Sequence, residues 1–144
     1  MSDPEAREIA IVADPSTREL DELEEAVHLF NEEATGLRDG RDLAAFLRDA
    51  QGALRAGIAG HTWGGCAEIR FLWVREAERG RGLGSRLLAA AEREARARGC
   101  ARVVLSSHSF QAPAFYLRRG YVECGRAAGY PRGHAQIYFT KLLS

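Results

Sequence analysis

Apolar residues recur at a helical spacing early in the chain. Leu20, Leu23, Val27 and Phe30 follow Ser16-Thr17-Arg18-Glu19, whose Ser-x-x-Glu form is that of a capping box, so a helix is predicted to about Ala34. Residues 9–12 read as a short strand ahead of it, and residues 35–42 as a loop behind it. Residues 43–47 and 54–61 are strand-like runs about a turn at Gln51-Gly52, although 43–47 suits a short helix equally. After a turn at Gly64-Gly65, residues 66–74 set Ile69, Phe71 and Trp73 against Glu68, Arg70 and Leu72, a strand with one fully apolar face. A glycine-rich loop then leads to a helix of about residues 85–98, closed by Gly99. Residues 102–105 form a short β-branched strand and 111–119 a short helix stopped by Gly120; residues 121–125 and 137–142 are closing strands. No repeat, low-complexity tract or linker interrupts this order. The pattern predicts one α+β domain over residues 1–144, with a mixed sheet of six to seven strands and about four helices.

Composition removes some functions from consideration. Twenty basic and twenty acidic side chains cancel, which leaves no global field for nucleic acid or an anionic membrane. The helix after the glycine loop carries Arg86, Arg93, Arg96 and Arg98, but Glu92 and Glu94 interrupt them, so it reads as a solvated surface rather than a nucleic-acid face. Only Lys141 among the basic residues is a lysine. Cys66, Cys100 and Cys124 are an odd number without Cys-x-x-Cys spacing, which suits a reducing compartment and neither a disulfide framework nor a zinc knuckle. The histidines at 28, 61, 108 and 134 are too scattered for a metal site. With no apolar span of signal or membrane length, a cytoplasmic location is expected. A homodimer is left open.

The loop "RGRGLGSRLL", residues 79–88, carries the chemistry. A strand, a glycine turn and a helix start together aim backbone N–H groups and the positive end of a helix dipole at one point, which suits an anion. Glycine matters there because a Cβ would hold a phosphate away from the backbone. A Walker loop would need a lysine, and a Gly-x-Gly-x-x-Gly fingerprint does not fit the spacing. Arg79, Gly82 and Gly84 do fit Arg/Gln-x-x-Gly-x-Gly/Ala.

From about Ala53 to the C-terminus the chain resembles the GNAT superfamily of N-acetyltransferases. "CAEIRFLWVREAERGRGLGSRLL" is similar to its acetyl-CoA motif and "SFQAPAFYLRRGY" to its second motif, while the first third matches only in element order. The resemblance implies that the pyrophosphate of acetyl-CoA sits on Arg79, Gly80, Arg81, Gly82, Leu83, Gly84 and Ser85. It further implies that the pantetheine arm pairs with the main chain of Leu72, Trp73 and Val74, in a slot where that strand splays from the next. An amine acceptor completes the reaction.

The same resemblance assigns two catalytic roles. Tyr116 matches the tyrosine of Phe-Tyr-x-x-x-Gly-Tyr and is the general acid for the departing thiolate. Glu68, eleven residues before Arg79, has the spacing of the glutamate base in the histone-acetyltransferase branch, acting through a water; alternatively it pairs with Arg70 or lines the slot, and ordered water and backbone groups relay the proton, as in many members of the family. Ser109 stands where the family often has an asparagine that contacts the cofactor. His134 in "YPRGH" is similar to a motif of small bacterial relatives, where it either faces the acceptor or braces a turn. A catalytically silent acyl-CoA sensor on the same fold would keep Gly82 and Gly84 without needing Tyr116 or Glu68.

Overall fold

The computed structural model describes residues 8–144, in two compact units that meet between Leu37 and Arg38. In the first unit, helix α1 spans Thr17–Thr35. Its capping box is complete: Ser16 Oγ accepts from the Glu19 N–H at 3.1 Å, and the Ser16 N–H donates to Glu19 Oε1 at 3.0 Å. Gly36, at φ 75°, ends the helix by donating to the Glu32 carbonyl at 2.7 Å. None of α1's residues is buried, so nothing within this unit covers the Leu20, Leu23, Val27 and Phe30 stripe. The strand expected at residues 9–12 does not form. Those residues join no ladder, and Ile11 is 90% exposed; an extended segment without a pairing edge has no ladder to close its N–H and C=O groups.

The second unit is a six-stranded sheet of β1 (Arg41–Arg48), β2 (Leu54–Trp63), β3 (Cys66–Val74), β4 (Arg102–His108), β5 (Val122–Ala128) and β6 (Ala135–Leu142). Their spatial order is β1-β2-β3-β4-β6-β5, and every neighbouring pair is antiparallel except the parallel β3 and β4. Two helices belong to this unit, α2 (Leu83–Ala97) and α3 (Pro113–Leu117), with a 3-10 turn at Glu76–Glu78. The described helices are thus three against about four expected, and α3 starts only at Pro113. Residues 43–47, which suited helix or strand, lie in β1.

Helix α2 crosses from β3 to β4 and lays Leu83, Leu87, Leu88, Ala91 and Ala95 on the sheet over Ala56, Ile58, Ala67 and Ile69. Burying a side chain such as Leu88, 1% exposed, stabilises the unit by about 1.5–3 kcal/mol. Glu92 is also buried on α2. It accepts from Tyr121 Oη at 3.0 Å and from Lys141 Nζ at 2.8 Å, which together neutralise and hold it.

The faces of β3 depart from simple alternation. Ala59 pairs with Phe71 and Gly60 with Ile69, so Arg70 is an extra residue, a β-bulge. Before it Ala67 and Ile69 point into the core; beyond it Leu72 and Val74 do, while Phe71 and Trp73, expected inside, are 72% and 44% exposed. One inserted residue inverts the two faces. Gly60 permits this, because a Cβ there would collide with the Glu68 carbonyl. No helix among the described residues is long and apolar enough to cross a membrane.

Candidate active site

The bulge also marks where β3 leaves β4. Their parallel ladder runs only from Cys66↔Arg102 to Ile69↔Leu105, although β4 continues on β6 as far as His108. Bulges sharpen local twist, and past Arg70 the β4-facing edge of β3 has no ladder partner. Between the diverging strands lies a cleft of about 1150 Å³, floored by Leu105 and Tyr116 and closed at one end by the glycine loop.

At that end, the loop leaves donors open. Gly82 is the N-cap of α2 at φ 79°, a conformation that favours glycine, and no side chain caps this helix. The amides of Leu83, Gly84 and Ser85, which a helix cannot satisfy internally, therefore open on the cleft together with the helix dipole. A Cβ on Gly82 would meet nothing within 4 Å, so the space above it is free for a ligand. Gly84 is close-packed instead, its missing Cβ 3.6 Å from the Phe115 ring and 3.7 Å from Val74.

Side chains add charge around these amides. Arg79 Nε donates to the Val74 carbonyl at 3.0 Å, tying the loop to the end of β3. Arg119 Nε donates to Ser85 Oγ at 3.1 Å, and its guanidinium lies 3.8 Å over the Phe115 ring. The one carboxylate at this end, Glu78, is occupied. Arg55 donates to it at 2.7 Å and holds its carboxyl below the ordinary carboxylate range, with Arg75 3.4 Å away.

Most residues expected at the site line the cleft: Leu72, Trp73, Val74, Arg79, Gly80, Gly82, Leu83, Gly84, Ser85 and Tyr116. Tyr116 is buried against Phe115, Tyr121 and Phe139, and burial pushes its phenol above the ordinary tyrosine value. Three expected residues lie outside the lining. Arg81 is one of them; Ser109 is engaged with β6, its hydroxyl accepting from the Ala135 N–H at 3.0 Å; the Glu68 carboxylate stands 3.6 Å from Arg70. The motifs missed Arg118, Arg119, His108 and Phe110, which do line it. The Arg118-Arg119 pair just before Gly120 was a legible signal of positive charge, whereas His108 and Phe110 carried none.

A strand that splays from the next beside the glycine loop is the arrangement the resemblance implied; the bulge and the uncapped helix start are what the structure adds. The model of the acetyltransferase (GNAT) family matches residues 6–121. The chain belongs to this family. Among GNAT relatives, the blasticidin-S acetyltransferase of Streptomyces morookaense is 40% identical over 101 residues, 69% of this chain and 74% of that protein. A solved acetyltransferase from Bacillus cereus superposes with a TM-score of 0.76 at 31% identity, covering 93% of this chain and 98% of that one. A Bacillus anthracis protein solved in complex with acetyl coenzyme A shares the fold, with a TM-score of 0.61 at 21% identity, covering 72% of this chain and 63% of that one. This GNAT chain is an acetyl-CoA-dependent acetyltransferase. Its cleft fits that co-substrate: open amides and arginines for the pyrophosphate, and an unladdered strand edge for the two amides of the pantetheine arm.

Proposed function

We propose that the protein acetylates a primary amine, a small molecule rather than a protein, by direct attack of that amine on acetyl-CoA within one ternary complex. The observation that carries this reading is that Tyr116 lines the same β3–β4 cleft as the glycine loop and the end of β3. Acetyl-CoA supplies the acetyl group as an activated thioester. The amides of residues 80–85 hold its pyrophosphate, and the free edge of Leu72, Trp73 and Val74 orients the pantetheine toward the bulge. Tyr116 donates a proton to the sulfur that departs, and its raised pKa keeps the phenol protonated at neutral pH. Arg81 and Ser109 contribute to binding the co-substrate from beside the loop and the β4 terminus. The ammonium form of the acceptor also needs a base; the resemblance offers Glu68 through a water, on its spacing to Arg79, although its carboxylate stands 3.6 Å from Arg70.

The domain spans residues 1–144 in this reading. It works in the cytoplasm, as three unpaired thiols suit, and as a homodimer. Sedimentation as a monomer would remove the dimer.

The acceptor is found by a panel of primary amines with acetyl-CoA and a thiol-release readout, beginning with blasticidin S because of the 40% identical relative. Turnover of at least one amine is expected. Tyr116→Phe should then lower turnover by about 10²–10⁴-fold, with CoA affinity and melting temperature near wild type. A folded wild type that binds acetyl-CoA but acetylates nothing would favour the silent sensor. Full activity in Tyr116→Phe would remove the phenol from the mechanism.

A further inference from the structure

We propose that His108 is the base that takes the first proton from the acceptor amine. This rests on the amine acetylation argued above, and it concerns a residue that no motif singles out. His108 ends β4 and lines the cleft that Tyr116 also lines. Its main chain is fixed: the His108 N–H donates to Gln111 Oε1 at 2.6 Å, and the Gln111 N–H donates back to the His108 carbonyl at 2.8 Å. Its ring is held on both sides, stacked on Phe110 at 5.5 Å and tilted against Tyr130 at 5.1 Å. Phe110 in turn meets His134 edge-on at 5.0 Å, so the His134 turn of the β5–β6 connection supports the cluster.

The decisive contact is 3.1 Å long, between Nδ1 of His108 and the backbone carbonyl of Tyr130. A carbonyl oxygen only accepts, so Nδ1 carries the proton, and in the neutral imidazole the lone pair lies on Nε2. With Nδ1 committed to the fold, Nε2 is the nitrogen left for a ligand in the cleft. A fixed tautomer in a clamped ring is what a general base requires. Glu68, by contrast, is outside the cleft lining and faces a guanidinium.

The protons balance with Tyr116 as the acid. An acceptor that arrives as an ammonium gives one proton to Nε2 of His108, which later passes it to water. The freed lone pair forms the nitrogen–acyl bond as the carbon–sulfur bond breaks. Tyr116 protonates the departing sulfur, and the second proton lost by the nitrogen restores the phenol. The products are the amide, CoA thiol and one proton released.

Three variants and one spectrum test this. His108→Asn retains an N–H that can donate to the Tyr130 carbonyl but has no basic nitrogen. Turnover, measured with the amine that the panel yields and with water alone as acceptor, should fall by about 10²–10⁴-fold while the acetyl-CoA thermal shift stays at wild type. In His108→Ala, added imidazole should restore part of the loss. Long-range proton–nitrogen correlation spectra of labelled wild-type protein should show the His108 proton on Nδ1. Wild-type turnover in His108→Asn, a deficit in a folded His108→Ala that imidazole leaves untouched, or the proton on Nε2 would each overturn the proposal. A large loss confined to Glu68→Gln would likewise return the role to Glu68. Failure of wild type to bind acetyl-CoA would instead strike the acetylation reading, and is seen separately in the thermal shift.

Discussion

Two helices of this chain begin in opposite ways. The first turn of α1 is closed by its own side chains, Ser16 and Glu19 exchanging hydrogen bonds with each other's N–H groups. The first turn of α2 starts at Gly82 in the left-handed region and has no side-chain cap at all. Both helices face the same physical requirement, since the first N–H groups of any helix lack internal partners. One answers it with a capping box; the other leaves it open on the cleft, with Gly82 where the cap would stand. An omitted cap beside a cleft is therefore as informative as a present one.

That contrast is tested first by a change on β6, at the cation that pairs with the middle of α2. Lys141→Met would leave the buried Glu92 carboxylate without its cation and should lower unfolding free energy by about 3–5 kcal/mol, read by chemical denaturation. Such a loss would show that α2 draws its stability from its middle and not from its start. A change under 1 kcal/mol would mean that Tyr121 alone satisfies Glu92.

Gly82→Asp goes to the contrast itself. A carboxylate at the open start would occupy the amides and repel the pyrophosphate, so acetyl-CoA affinity should fall by about 2 kcal/mol, roughly thirtyfold in dissociation constant. Unchanged affinity by calorimetric titration would detach the loop from the co-substrate. The smallest effect belongs to α1. Ser16→Ala should cost that helix about 1 kcal/mol, seen as faster amide exchange along Thr17–Thr35, with acetyl-CoA affinity unaltered. If affinity fell as well, the two helix starts would not be serving separate purposes.

The sequence disclosed most where a local rule decides the outcome. Ser16 and Glu19 announce α1 because a capping box is complete within four residues, and Gly82 announces the loop because its left-handed backbone favours glycine. The limits of β3 were legible as well, but its faces were not. Alternation assumes an unbroken ladder, and the bulge at Arg70 arises from the close approach of Gly60, a contact with another strand. Residues 9–12 have the right composition for a strand, yet pairing depends on an edge that composition does not reveal. In the aromatic cluster at the end of β4, His108 and Phe110 come from that strand's end and the turn after it, and Tyr130 and His134 from the β5–β6 connection, so no spacing links the two pairs. Ser109 sits where the motif puts it, but its hydroxyl is spent on Ala135. Backbone-built parts of the site are written locally; parts built from side chains of distant segments are not.

The most direct measurement is an amide proton–nitrogen spectrum of the labelled protein, titrated with acetyl-CoA and, separately, with ATP. If the open start of α2 and the free edge of β3 hold the co-substrate, the amides of residues 80–85 and 70–74 should shift with acetyl-CoA, saturably and further than with ATP. The amides of Ser16 and Glu19, a helix start already closed, should stay in place. Acetyl-CoA that leaves residues 80–85 unmoved, or perturbs α1's first turn as much as α2's, would contradict the account.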